Sequence, residues 1–583
     1  MHNFQGNLDY LIFATSLVCL YYWHFAINDF DDFNTFMILK LYSKYFYHWY
    51  HLILIIFWTN FATGLINVML TDFNIFKHSS MNSKICLKWK ILKFWKPIAL
   101  TVNISFLVML YTLWPNEWIL IFKSFHFYYL YHHLLVCVLL ILLWARYIKV
   151  ESLNLLYVLS ITLVIFLALI ILSIIFKPPC TMNNHAVYLP RRPGVIAHRG
   201  AQYLSPENTI FSYHVAMNMC EYRYSNSNDD AGKLVALETD VQVSYDGTSF
   251  LLHDPYLYRT TNIRSKFPLL FRKFAYLFNF TLQLKLLNAG SWFLNKDPFS
   301  NAYRLPPQAS ALLSAENLPL FSEFLRLAKL YDKNIIFDAK FPEECVEMIE
   351  IIDWSKLHAN CCSQKTLLPW SLNPRFKYLM VSYNLNRSVF HNSFDCRHLA
   401  KKLCSCKHPY GPLLQQIILD NIDRSKISPN KVWWIADKRW DNLGVNPLID
   451  KYPNFTYVFP LPIPITNLTR LGCRKLNLGN FKSQISDIKN YIRNNITINV
   501  YVVNQLWLFS YYWCVGVDSI TTGRCGFMTN PSLRPLMLMN SSTYFALVSS
   551  MHLLCLLSMA IIFQFKISRI NKQKDFVDLS KQA

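Results

Sequence analysis

Charge is scarce in this chain. Of 583 residues only 16% are Asp, Glu, Lys or Arg, whereas 53% are hydrophobic, and mean hydropathy is positive at +0.20. Those values exclude an ordinary soluble enzyme and put membrane segments first. Acidic residues are the scarcer sign, 35 against 57 basic ones, for a formal net charge of +22. Such an excess points to nucleic acid or to a membrane. There is no arginine-rich tail, zinc-ligand spacing or RNA-binding signature, so nucleic acid is not an expected partner. Many lysines instead sit between or beside apolar runs, as in cytoplasmic loops, and the expected partner is the lipid bilayer. The first apolar run, residues 8–27, lacks a basic leader and a small-residue cleavage site, which excludes a cleaved signal peptide.

What is there begins with apolar runs long enough to span a bilayer. They lie at residues 8–27, 49–70, 93–114, 125–144 and 155–176, with a sixth at 544–565. In the fourth, the aromatic stretch 125–131 supplies the outer turns of a helix whose strongly apolar part is 134–144. The basic residues Lys77, Lys84, Lys88, Lys90, Arg146, Lys149, Lys566, Arg569, Lys572 and Lys574 assign their segments to the cytoplasm. The expected layout is therefore a five-helix membrane region over 1–177, an outer domain over 178–542, a closing helix over 543–565 and a tail over 566–583. Both termini are then cytoplasmic. The outer domain is extracellular or lumenal, on a plasma membrane or endomembrane. His24, His48, His51, His132 and His133 read as interfacial or packing residues. No inverted repeat or Gly/Pro-broken pair suggests a transporter.

The outer segment alternates short apolar strands with helical stretches, the pattern of a parallel α/β domain, and its length suits a TIM barrel with insertions. Val195-Ile196-Ala197 stops at His198-Arg199-Gly200. In Leu237-Glu238-Thr239-Asp240-Val241 the two carboxylates share one face, with Leu237 and Val241 on the other. Alone, such a pair is the ordinary acidic decoration of an edge strand; with a cation between them, the hard oxygens suit Mg²⁺ or Ca²⁺. A second apolar strand, Ser249-Phe250-Leu251-Leu252, ends in His253-Asp254. A third, Asn334-Ile335-Ile336-Phe337, ends in Asp338-Ala339-Lys340. Strand ends at the carboxyl rim of a barrel are where catalytic groups collect. Two histidines, an arginine, three carboxylates and a lysine there form an inventory for hydrolysing a phosphodiester.

His198-Arg199-Gly200-Ala201, Pro206-Glu207-Asn208-Thr209, Glu238-Thr239-Asp240, Asp246-Gly247 and His253-Asp254 resemble the signature series of the glycerophosphodiester phosphodiesterase family. Leu287-Asn288-Ala289-Gly290-Ser291-Trp292-Phe293 is similar to its insertion motif. Val500-Tyr501-Val502-Val503-Asn504 and Gly516-Val517-Asp518-Ser519-Ile520-Thr521-Thr522 resemble its last two strands. The layout of helices around an outer barrel resembles the multi-pass animal members. The resemblance implies a metal-assisted enzyme that cleaves glycerophosphodiesters, or membrane-surface phosphodiesters such as glycolipid anchors, to a phosphomonoester and an alcohol. It assigns His198 and His253 as the acid/base pair, and Glu238, Asp240 and Asp338 as ligands of one divalent cation, Mg²⁺ or Ca²⁺. Arg199 and Lys340 would bind phosphate, and Glu207 would support the site or contact the glycerol end. Asp338 departs from the family's usual glutamate. The rival expectation is a membrane signalling or scaffolding protein with a vestigial barrel.

Residues 221–233 read as a polar surface insertion. Of 15 cysteines, 11 fall in the outer segment, where some should pair with a connectivity the sequence does not give, and an odd count leaves at least one thiol over. Glycosylation sequons stand at Asn279, Asn386, Asn454, Asn467, Asn495 and Asn540.

Overall fold

The computed structural model describes residues 2–25, 49–72, 83–113, 117–147, 155–182, 189–220, 232–299, 302, 305, 307–342, 408, 414–482 and 484–582. Asn386, residues 221–231 of the insertion, and Cys345, Cys361, Cys362, Cys396, Cys404 and Cys406 lie outside that set.

Eight parallel strands close into a barrel. They are β1 (Gly194–Ala197), β2 (Leu234–Val243), β3 (Asn334–Ala339), β4 (Val432–Ile435), β5 (Thr456–Phe459), β6 (Lys475–Gly479), β7 (Thr497–Tyr501) and β8 (Ser519–Thr522). Each pairs with the next in the sequence, and β8 returns to β1 with Ser519 beside Gly194 and Thr522 beside Ala197. Ser249–Leu251 adds to the outer end of β2 as an antiparallel hairpin, Val241 opposite Leu251. The alternation of strand side chains sorts the core into two layers. Val195, Ala197, Leu237, Val241, Ile335 and Phe337 face outward into one large core with the surrounding helices. Ile196, Ala236, Ile336, Trp433 and Val458 fill the barrel's interior. One step further along, the same inward face carries Glu238 and Asp240 on β2 and Asp338 on β3, with His198 just beyond β1. An apolar floor thus lies beneath a charged rim.

Over their described residues the six apolar runs fall mainly on helices: His2–Phe25, Trp49–Asp72, Ser83–Leu113, Tyr129–Tyr147, Leu155–Ile175 and Ser541–Gln582. Among the described residues, two stretches are long and apolar enough to cross a membrane, Trp95–Thr112 and Ser541–Ile570. The fourth run differs from its expected form. Its aromatic outer turns are not one continuous helix with the apolar part, because Glu117–Phe127 and Tyr129–Leu142 meet at a 75° bend, and together they make a third candidate span. Neither Gly nor Pro marks the break. It occurs where the first arm packs against the barrel: Lys123 is buried there, its Nζ donating to the Asn480 carbonyl at 2.6 Å and to the Tyr512 hydroxyl at 2.9 Å. His133 packs in the bundle with its ring 4.7 Å from that of His552.

The chain enters and leaves the barrel at one place. Thr181–Met182 pairs in parallel with Met539–Asn540, and the Tyr544 hydroxyl donates to the Ser173 carbonyl, joining the two flanking helices. Two disulfides brace this frame. Cys180–Cys514 ties the incoming segment to the helix after β7, and Cys220–Cys525 joins the helices that follow β1 and β8 across the barrel's closing seam. Among the described outer cysteines, Cys473 is a free, buried thiol. Of the described sequons, Asn454, Asn495 and Asn540 are exposed, Asn279 is half-buried, and half-buried Asn467 donates its amide to Asp441 at 2.9 Å.

Candidate active site

The turn after β1 is the tightest point of the rim. Arg199 and Gly200 both take left-handed backbone angles, φ 52° and 84°, and a side chain at Gly200 would strike Ser212. The turn points the Arg199 backbone N–H at β2, where it donates to Glu238 Oε2 at 2.7 Å. His198 is buried beside the same carboxylate, its Nε2 3.9 Å from Glu238 Oε2, and its Nδ1 has no hydrogen-bond partner among the described residues. Burial, then the neighbouring Arg199 guanidinium, holds the His198 imidazole well below its ordinary pKa, so the ring is neutral.

Asp240 stands two residues further along the same face. Arg199 Nε lies 3.2 Å from its Oδ2, Asn208 Nδ2 donates to that oxygen at 2.9 Å, and Lys340 Nζ is 3.3 Å from Oδ1. Burial works to raise this carboxyl, but His253, Lys340 and Arg199 outweigh it and hold Asp240 well below the usual carboxylate range. Glu238 goes the other way: burial and the Asp240 charge push it well above. Two carboxylates on one buried face therefore do not both ionise with these neighbours alone.

Behind this face runs a set of groups in which the sequence singled out Glu207 but neither Arg259 nor the tie made by Asn208. Asn208 Oδ1 accepts from the Asp240 backbone N–H, Thr239 Oγ1 and the Tyr213 hydroxyl, fixing β2 against the turn after β1. Arg259 is buried between two carboxylates. Its Nε and Nη2 donate to Asp254 at 2.6 and 3.0 Å, and its Nη1 and Nη2 donate to Glu207 at 2.7 and 2.5 Å. Arg199 Nη1 reaches Glu207 as well, at 3.2 Å. Burial opposes ionisation of Glu207, but Arg259 and Arg199 prevail and bring its carboxyl down to about 2. Glu207 thus lies behind the site and does not line the pocket. Asp254 in turn accepts from His253 Nδ1 at 2.9 Å, which puts that proton on Nδ1 and leaves Nε2 as the remaining ring nitrogen.

The hairpin 249–251 brings His253 to the rim beside Asp240, since the Leu252 N–H donates to the Asp240 carbonyl. On β3, Asp338 pairs directly across from Asp240 in the strand register. Lys340 Nζ sits between these carboxylates, 2.5 Å from Asp338 Oδ2. Asp240 and Asp338 raise the Lys340 ammonium above its usual value against the effect of burial. His198, Arg199, Glu238, Asp240, His253, Asp338 and Lys340 all line one pocket of about 660 Å³ at the carboxyl ends of the strands.

Among the described residues, no three His, Cys, Asp or Glu side chains are gathered closely enough to hold an ion as they stand. The local cause is visible, because the Lys340 ammonium already bridges Asp240 and Asp338. The donor chemistry nevertheless fits a hard cation: three carboxylates occupy adjacent rim positions, and two of them are in conflict over ionisation. Arg199 and Lys340, expected on phosphate, are both committed to carboxylates in this arrangement.

Comparison with known proteins bears on the barrel and on part of its flanking helices. The glycerophosphoryl diester phosphodiesterase family matches over residues 198–350, from the first histidine through β3. A mouse glycerophosphodiester phosphodiesterase domain-containing protein is 26% identical over 516 residues, 88% of this chain and 70% of that protein. That match is longer than the barrel and so extends into the flanking helices. A human glycerophosphoinositol inositolphosphodiesterase is 27% identical over 416 residues, 70% of this chain and 59% of that protein. A phosphodiesterase of known structure from Oleispira antarctica matches over 58% of this chain and 95% of its own, with 15% identity and a TM-score of 0.33. The matched family residues and the long matches to animal relatives carry one conclusion: residues 198–350 belong to a domain of the glycerophosphoryl diester phosphodiesterase family.

Proposed function

We propose that this phosphodiesterase is membrane-anchored and acts on glycerophosphodiesters, with His198 and His253 as base and acid and Glu238, Asp240 and Asp338 as the ligands of one divalent cation. The observation that carries the proposal is the convergence of both histidines and all three carboxylates on one pocket. When bound, Mg²⁺ or Ca²⁺ supplies Lewis-acid polarisation of a phosphoryl oxygen.

The chain's own groups divide the proton work. His198 is held neutral by burial and takes the proton from the attacking oxygen, which is a water or the substrate's own neighbouring hydroxyl. The new P–O bond forms as the bond to the leaving alcohol breaks. His253 delivers the proton to that alcohol from Nε2, and the Asp254 carboxylate at Nδ1 supports the imidazolium beforehand. Arg259 keeps Asp254 and Glu207 ionised and in place. With Glu238, Asp240 and Asp338 holding a cation, Arg199 and Lys340 would turn from carboxylate to phosphate. When water attacks, the products are a phosphomonoester and an alcohol directly; when the neighbouring hydroxyl attacks, the first products are a cyclic phosphate and the alcohol, and a water then opens the ring to the phosphomonoester.

The human relative is named for glycerophosphoinositol, which makes that diester the first substrate to offer. The helices at 1–177 and 543–565 anchor the chain, with both termini cytoplasmic. The barrel at 178–542 is then extracellular or lumenal, at the plasma membrane or an endomembrane. Exposed Asn454, Asn495 and Asn540 become glycosylation sites there. The test is hydrolysis by the full chain of glycerophosphoinositol and glycerophosphocholine, with product identification. Activity should vanish on chelation, return with Mg²⁺ or Ca²⁺, and be absent in Glu238→Ala; hydrolysis that survives both treatments would defeat the metal assignment.

A further inference from the structure

The pocket has a second wall that this chemistry leaves unused. Across from the histidines it is built by the segment after β4, with Asp437 and Lys438, and by the segment after β6, with Lys482. The cations of the two walls differ in kind. Arg199 and Lys340 are held by Glu207, Asp240 and Asp338. Lys438 and Lys482 line the same cavity, yet neither has a carboxylate within ion-pair distance among the described residues. Burial, and then the charge of Lys438, lowers the Lys482 ammonium below its usual value.

Asp437 belongs to the same wall but lies outside ion-pair distance of both lysines; two like charges facing one cavity repel each other, and the repulsion is relieved by an anion placed between them. The scissile phosphate does not meet that need, because it belongs at the histidine side of the pocket. Building on the phosphodiesterase reading above, we infer that Lys438 and Lys482 form a subsite for a second anionic group, a phosphate monoester on the alcohol portion of the substrate. A leaving group carrying a quaternary ammonium meets two unmatched positive charges there and is selected against. The wall thus sets specificity in a reaction that the opposite wall performs.

The experiment compares kcat/KM of the full chain for glycerophosphoinositol 4-phosphate and glycerophosphoinositol. At about 50 mM salt the phosphorylated diester is preferred about tenfold or more, and the preference shrinks at about 0.5 M salt as screening shortens the range of the lysine charges. In the Lys438→Ala/Lys482→Ala double variant the ratio falls to near one. Equal values in the unmodified chain, or a preference that the double variant keeps, overturns the subsite. Calorimetry with inositol 1,4-bisphosphate and inositol 1-phosphate reads the same subsite without turnover, and equal affinity for the two overturns it as well. A chain that prefers the bisphosphate but cleaves neither diester keeps the subsite and sinks the hydrolase reading. One that cleaves both diesters equally does the reverse.

Discussion

The two halves of the barrel rim solve the problem of burying polar groups in opposite ways. From β1 to β3 charged groups interlock: buried Glu207, Asp254, Arg199 and Arg259 on one side, and on the other buried Asp240 with the half-buried Asp338 and Lys340. In the later half the buried groups are neutral. Asn499 Nδ2 donates to Asn477 Oδ1 at 2.7 Å and to Thr521 Oγ1 at 2.8 Å, and Ser519 Oγ donates to Asn499 Oδ1 at 2.9 Å. A buried ion pair is strongly conditional, because loss of one partner strands a charge in low dielectric. A neutral network loses only hydrogen bonds when one member goes. The charged half is therefore suited to a reaction that moves protons and charge, and the neutral half to holding a frame.

The sharpest way to break this division is at the histidine that touches both proton and charge. His253→Ala should lower kcat/KM for glycerophosphoinositol by about 10²- to 10⁴-fold, the usual worth of a positioned acid. Tyr501→Phe, on the opposite wall of the same pocket, should cost less than about tenfold, or roughly 1.4 kcal/mol of barrel-side contact. Equal losses in steady-state assays of the two variants would show that the chemistry is not confined to one half.

Arg259 tests the conditional character of the charged half. Arg259→Met leaves Glu207 and Asp254 without their main partner and should destabilise the chain by about 3–5 kcal/mol. It should also change the pH dependence of stability. Glu207 has its carboxyl lowered from its ordinary value of 4.5 to about 2 in the folded state. Its contribution is therefore fully present above pH 4.5 and is lost as pH falls from 4.5 toward 2. Thermal unfolding in detergent across that window should show a steep acid-side loss in the unmodified chain and a flatter one in the variant. An unchanged slope would mean that the pairing does not set the Glu207 ionisation.

The same contrast explains what could be read from the sequence. Strand ends in the first half announce themselves, because period two and abrupt stops at His198, His253 and Asp338-Ala339-Lys340 are local signals. Glu238 and Asp240 share the face that their spacing requires. Arg259 was not legible, since Tyr258-Arg259-Thr260-Thr261 has no strand pattern and its partner Glu207 lies 52 residues away. Asn208 stood inside a recognised motif, but nothing local shows that its amide ties Asp240 to the turn. The later half gave little: its strands end in neutral residues, and Lys438 and Lys482 sit in loops that only closure of the barrel brings together. The bend at residue 128 was hidden for a similar reason, as a continuous aromatic and apolar run carries no breaker and the break comes from docking Lys123 against the barrel. The disulfides join cysteines 334 and 305 residues apart, a pairing set by barrel closure alone.

The smallest effect tests the neutral half. Asn499 is fully buried and holds Asn477, Ser519 and Thr521 together. Asn499→Ala removes three hydrogen bonds and leaves neutral partners unsatisfied, at a cost of about 1–3 kcal/mol. Because no member of this network is ionised, the loss should be the same from pH 7 down to pH 4, in contrast to the Arg259 variant. The diester turnover of the folded fraction should also stay within about threefold of the unmodified chain, since a frame residue acts on the population that is folded rather than on the barrier. A pH-dependent loss, or a fall in turnover that outruns the fall in folded protein, would show that the neutral half takes part in the chemistry and that the rim is one site rather than two.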